Sequence, residues 1–248
     1  MTKALILAAG QGTRLRPHTE ELPKTMVKVH GKAIIEYQLD VFNGLGIDDI
    51  AIVGGYHHEK LEKYGLKKFV NDEFESSNMV HSLFKAQAFF DDQDLVISYG
   101  DIIYAADIVT KLLACPNEVV VSADLDWEWL WSQRMEDPVE DAESFKYLTD
   151  GRVVELGKKL KSKQEAQAQY IGLIKVSGAA LKRWLSYYLS LSIDETRSMY
   201  MTDFIQFLIE KGEPVHCACH SKGWLEVDSV SDLALYQGLP ISHFEIDR

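Results

Sequence analysis

An apolar run from Ala4 to Ala9 ends abruptly in Gly10-Gln11-Gly12-Thr13-Arg14, and this junction constrains the chain more than any other stretch. Unbroken apolar character, with no polar alternation, suits a strand buried on both faces of a parallel sheet. The glycines remove Cβ atoms from the turn that follows, so its backbone can approach a ligand. Free N–H groups there, with cations at Arg14 and Lys24, suit a polyanion such as a nucleoside triphosphate. Two glycines alone are better explained as a tight strand-to-helix turn. Arg14, Pro17, Thr19, Pro23 and Lys24 in fixed order behind them favour the ligand loop.

The rest of the chain repeats the strand-then-helix rhythm. Strands are expected at Ile50–Val53, Lys67–Val70, Leu95–Ser98 and Val119–Ala123, with helices at Ile34–Phe42, His58–Tyr64, Asn78–Phe90 and Ala106–Leu113 between them. Alternation of this kind implies right-handed βαβ units and a mainly parallel sheet. The rhythm breaks after Asp124, where three tryptophans and many carboxylates follow with no clear period. Phe145–Leu148 and Val153–Leu156 flank Asp150-Gly151, a strong hairpin signal. A strand at Tyr170–Val176, helices at Ala179–Leu189 and Thr202–Glu210, strands at Pro214–Ala218 and Trp224–Val227, and a helix at Val230–Tyr236 complete the pattern. The expected fold is a Rossmann-like three-layer α/β/α domain over residues 1–238, with a mainly parallel mixed sheet. Residues 124–175 are expected to form a small β-hairpin lobe, and 239–248 a surface tail.

A formal net charge of −12 argues against nucleic-acid and acidic-membrane partners, which need basic surface. The apolar run at the N-terminus is far shorter than the roughly 18 residues of a membrane helix and lacks signal-peptide features. Three cysteines make no disulfide framework. The expected location is the cytoplasm.

Functional groups of an open parallel sheet gather at the carboxyl ends of its strands. Gly10–Arg14, Gly100-Asp101 and Asp228 all fall at such ends. Glu226 and Asp228 are two apart on a strand and share a face, an arrangement that favours a cation between them. With Asp101 they suggest Mg²⁺, which binds one or two carboxylates plus phosphate oxygens and water. Asp101 by itself is equally suited to capping the next segment. His216-Cys217-Ala218-Cys219-His220 is not read as a zinc site, because alternation sends histidines and cysteines to opposite faces. His57-His58 reads as a surface pair.

Leu7-Ala8-Ala9-Gly10-Gln11-Gly12-Thr13-Arg14-Leu15, with Pro17, Thr19, Pro23 and Lys24, resembles the signature of nucleotidyltransferases acting on sugar phosphates and related compounds. The similarity continues through Tyr99-Gly100-Asp101, Gly157-Lys158-Lys159, Tyr170–Leu173 and Trp224–Asp228. Ser77–Leu83, Trp131 with Arg134, Asp141-Ala142-Glu143 and Met201-Thr202-Asp203 are similar to bacterial cytidylyltransferases of the phosphocholine type, and no Trp-Leu-Asp-Thr-Gly-Thr pattern of sugar-nucleotide members occurs. The resemblance implies the nucleotide-diphospho-sugar transferase-like fold. It implies CTP along Leu7, Ala8, Ala9, Gly10, Gln11, Gly12, Thr13 and Arg14, with Ser82 and Gly100 beside base or ribose. Arg14, Lys24 and Lys158 would be the catalytic cations, Lys158 holding the acceptor's phosphate. Asp101, Glu226 and Asp228 would hold Mg²⁺.

Under the same resemblance the acceptor is a small amino-alcohol phosphate or phosphonate, phosphocholine first and 2-aminoethylphosphonate next. Trp131, Lys158, Tyr170, Tyr200 and Asp203 are the expected contacts. Quaternary ammonium groups are held by aromatic rings; Trp127, Trp129, Tyr187 and Tyr188 add rings, and most of these aromatics are expected to serve packing instead. Transfer to a hexose 1-phosphate from UTP or dTTP, and an inactive nucleotide-binding subunit, are the alternatives. Neither a nucleic-acid nor a membrane partner is expected, and a homodimer is left open.

Overall fold

The computed structural model describes residues 2–246. Its strands are β1 (Thr2–Ala8), β2 (Lys28–Val29), β3 (Lys32–Ala33), β4 (Ile50–Gly54), β5 (Lys67–Val70), β6 (Asp94–Tyr99), β7 (Ile102–Tyr104), β8 (Val119–Asp124), β9 (Glu143–Tyr147), β10 (Val153–Lys159), β11 (Gln169–Val176), β12 (Val215–His220) and β13 (Trp224–Glu226). Its α-helices are α1 (Ile34–Gly44), α2 (Met79–Lys85), α3 (Ala106–Ala114), α4 (Trp127–Arg134), α5 (Gly178–Ser190), α6 (Ile193–Ser198), α7 (Met201–Glu210) and α8 (Val230–Gly238).

Seven strands form one sheet in the order β12-β8-β11-β6-β1-β4-β5. All its neighbours are parallel except β11, which runs antiparallel to both β6 and β8. The mixed, mainly parallel sheet is therefore the one expected. Alternation along β1 divides the interior. Ala4, Ile6 and Ala8 face a layer containing Ile35 and Phe42 of α1 and Val109 of α3. Leu5 and Leu7 face the layer of α2, α5 and α7, with Trp184 and Phe204 at its centre. Both faces are covered, which is why β1 carries no polar alternation.

Chain order places β4 and β5 on one side of β1 and β6 on the other. The loops leaving β1 and β6 diverge at this switch of direction and open a crevice at the strands' carboxyl ends. Gly100 lies against β1 there: its N–H donates to Leu7 O at 2.8 Å. A Cβ at Gly100 would sit 2.7 Å from that same oxygen.

Three expectations are corrected. The aperiodic tryptophan segment contains α4, whose Trp127 and Trp131 lie one turn apart and are both buried. Its eight residues span about two turns, too few to display a period. The lobe also stops short of residue 175, because β11 begins at Gln169 as an interior strand of the main sheet. Finally, residues 239–246 are no surface tail. Phe244 is fully buried against Trp129 and Tyr236, and Ile246 packs into the same core. Asp247 and Arg248 lie outside the described residues. Phe244→Ala is expected to lower unfolding free energy in urea by about 3–5 kcal/mol, the cost of emptying a buried aromatic site; an unchanged midpoint would return the segment to the surface.

Candidate functional site

The glycine turn is closed by residues of its own motif. Gly12 has φ +62°, and a Cβ on it would lie 3.1 Å from Lys24 Cβ and 3.3 Å from Thr19 Cγ2. The buried Thr19 hydroxyl donates to Gly12 O at 2.7 Å. Thr19 and the stem of Lys24 therefore pack beneath the turn, which explains the spacing between Gly12 and Lys24.

The ammonium of Lys24 meets two carboxylates from far along the chain. Its Nζ lies 2.6 Å from Asp101 Oδ2 and 2.8 Å from Asp228 Oδ1. A small sheet brings them together: β7 and β13 pair antiparallel, with Ile102 opposite Glu226, and Val227 N donates to Asp101 O at 2.9 Å. Asp101 just precedes β7 and Asp228 follows β13, so an antiparallel pairing places both at one end. Burial works against the Lys24 charge, but Asp101, Asp228 and Glu226 outweigh it and raise its pKa. Arg14 forms an ion pair with Asp228, its side chain otherwise 69% exposed.

Glu226 departs from the expected metal set. Its Oε2 accepts from Arg134 Nη1 at 3.0 Å, and Arg134 also grips Asp232 through Nε and Nη2. Burial pushes the Glu226 carboxyl up to about 7 against the pull of Arg134. Among the described residues no group of three or more His, Cys, Asp or Glu side chains is arranged to hold a metal. Asp101 and Asp228 remain as a pair that fits a divalent cation. Asp101 Oδ1 is buried with no hydrogen-bond partner, and a desolvated carboxylate oxygen is costly without one.

These groups border a cleft of about 450 Å³. Of the expected residues, Leu7, Ala8, Ala9, Gly10, Gly12, Thr13, Arg14, Lys24, Ser82, Gly100, Asp101, Tyr200, Glu226 and Asp228 line it. Gln11 stands beside it, with its amide on Glu75 at 3.3 Å. Lys158 lies outside the lining, exposed and paired with Glu155 at 2.7 Å. Tyr170 packs edge-on against Tyr99, and Asp203 caps α7 by accepting from Tyr200 N at 3.2 Å.

The tryptophan acceptor pocket is not formed. Trp131 is 5% exposed, donates to Asp141 at 3.2 Å and packs on Trp224 and Arg134. Trp127 contacts Trp131, and Trp129 packs on His243 and Phe244. Tyr187 and Tyr188 pack on Phe207 and Phe84. Trp127 and Trp131, one turn apart, are turned inward, while Trp129, Tyr187 and Tyr188 are half-buried against neighbouring rings. The lining also includes Phe74, Ser77, Asn78, Met79 and Tyr99, for which the sequence suggested no role. Ser77–Leu83 carried the resemblance, but no residue type in it declares a contact.

Residues 4–144 match the model of the MobA-like NTP transferase domain. The chain is 41% identical over 246 residues to the CTP:phosphoglutamine cytidylyltransferase of Campylobacter jejuni, a match covering 93% of this chain and 97% of that one. A choline-phosphate cytidylyltransferase of Streptococcus pneumoniae is 48% identical over 86 residues, 33% of this chain and 38% of its own. A solved CTP:phosphocholine cytidylyltransferase from Streptococcus pneumoniae superposes with a TM-score of 0.73 at 25% identity, covering 96% of this chain and 98% of that one. These likenesses bear out the nucleotidyltransferase-type fold expected from the sequence. Among the described residues no helix is long and apolar enough to cross a membrane.

Lys24→Ala leaves Asp101 without its cation beside Asp228, which keeps only the exposed Arg14. We expect a loss of about 3 kcal/mol of stability at neutral pH, part of it regained in Lys24→Ala/Asp101→Asn, as read from urea unfolding of both variants.

Proposed function

The chain belongs to the MobA-like NTP transferase family and is a nucleotidyltransferase; from that premise we propose that it transfers CMP from CTP to a small phosphorylated amino compound, releasing pyrophosphate. The observation that carries this reading is the 41% identity along nearly the whole of a cytidylyltransferase, joined to a glycine loop whose lysine lies between two carboxylates.

The triphosphate lies along Gly10–Arg14. Arg14 leaves Asp228 for the β- and γ-phosphates, and Lys24 turns to the α-phosphate. Asp101 and Asp228 would hold Mg²⁺, which supplies charge neutralisation on the phosphate oxygens. A phosphate oxygen of the acceptor forms a bond to the α-phosphorus while the bond to the β-phosphate oxygen breaks, and pyrophosphate leaves with the electron pair. The nucleophile is already anionic, so no general base is needed and catalysis consists of positioning and charge stabilisation. Lys158 exchanges Glu155 for the acceptor's phosphate. Tyr200, at the cleft, and Asp203 and Tyr170, behind it, are the acceptor-side residues.

Among acceptors we place phosphoglutamine ahead of phosphocholine. A relative that matches this chain over nearly its whole length takes its name from phosphoglutamine, and of the tryptophans offered for a choline cage Trp127 and Trp131 lie in the core and Trp129 packs on Phe244. A panel of phosphoglutamine, phosphocholine and 2-aminoethylphosphonate with CTP, and glucose 1-phosphate with UTP, tests the proposal by pyrophosphate release. Release is expected with CTP and the amino acceptors, phosphoglutamine fastest. Turnover with glucose 1-phosphate and UTP alone would sink it. In the same assay Lys24→Ala is expected to lower kcat by about a thousandfold or more, and Lys158→Ala to raise the KM of the acceptor more than that of CTP.

A further inference from the structure

Two pieces of chain far apart in sequence meet at the wall of the cleft. Phe74, Ser77, Asn78 and Met79, at the entrance to α2, and Tyr200, at the junction of α6 and α7, all line it. Glu73 joins them from outside the lining. Its carboxylate meets His81 Nε2 at 2.7 Å and Lys85 Nζ at 3.3 Å, and pairs with the Arg197 guanidinium. Asn78 extends the seam, its backbone N–H donating to Arg197 O at 2.7 Å and its amide to Ser198 O at 3.2 Å.

Glu73 is itself fixed. Its backbone N–H donates to Asn71 Oδ1 at 3.0 Å, and Ser77 Oγ donates to its carbonyl at 2.7 Å. His81 is held from its other side, with Nδ1 3.2 Å from the Tyr188 hydroxyl. His81 and Arg197 hold the Glu73 carboxyl well below the usual range, at about 2.

We propose that Glu73 and Arg197 are a positioning pair that fixes these two wall segments against each other, so that their lining residues meet the nucleotide in one arrangement. The proposal rests on the cytidylyltransferase reading. Lys24, Asp101 and Asp228 stand on other elements and keep their own contacts when the pair is broken. Loss of the pair moves the ordering of both segments into the binding step, where it weakens affinity. Nucleotide binding should suffer and turnover should not.

The test is calorimetric titration of CTP with Mg²⁺, together with kcat and KM, on the wild type, Glu73→Ala, Arg197→Ala, Arg197→Lys and the Glu73→Ala/Arg197→Ala double variant. Thermal melting reports folding of each. Arg197 is 39% exposed, so its variants keep the test alive if Glu73→Ala does not fold. Expected are a rise of about tenfold in the Kd and KM of CTP in either alanine variant, with kcat within about threefold. Arg197→Lys should stay near wild type, and the double variant should be no worse than Glu73→Ala, which already removes the contact that Arg197→Ala breaks. Unchanged CTP affinity in folded Arg197→Ala, a loss confined to kcat, or additive effects would overturn the proposal. Wild-type protein that binds no CTP would instead overturn the reading beneath it.

Discussion

The structure of the site depends on one ammonium group. Lys24 Nζ joins the glycine loop to both Asp101 and Asp228, beside β7 and β13, where Arg14 reaches Asp228 from the solvent side. Without the lysine two acids on neighbouring loops would repel across a poorly solvated gap, where charges interact far more strongly than in water. Because the cation is a side chain, the pair is preformed and compact before any substrate arrives. In the proposed reaction a nucleotide with its metal would take over the lysine's role at the carboxylates and free the lysine for phosphate.

The same logic explains why Glu226 stands apart. It shares a strand face with Asp228, yet Arg134 draws it away, and Arg134 is held in turn by Asp232 at the start of α8. The buried guanidinium thus ties α4 to the carboxylate loop. A third free acid at this place would have added desolvation cost with no partner. Two carboxylates and one lysine balance more closely.

Aromatic residues show how local chemistry and packing part company. Trp127, Trp129 and Trp131 sit among acids in the sequence and suggest a pocket for an organic cation. Spaced as they are on a short helix, they instead fill the gap between α4, β13 and the C-terminal segment, where Trp224 and Phe244 meet them. Burial of large apolar surface outweighed any surface role. The C-terminal segment folds inward for the same reason.

The sequence by itself determined the sheet, the glycine loop and the identity of the charged groups Arg14, Lys24, Asp101 and Asp228. These follow from local rules: apolar runs make strands, glycines permit close approach, and strand ends collect function. Only the tertiary structure decided which charges meet. Lys24 lies 77 residues from Asp101 and 204 from Asp228, and their encounter depends on the pairing of β7 with β13, which no local pattern encodes. The partner of Glu226, the inward turn of the tryptophans and the seam between Glu73 and Arg197 are likewise long-range results. Each was settled by which surfaces the sheet brought into contact, and no short window of sequence contains both sides.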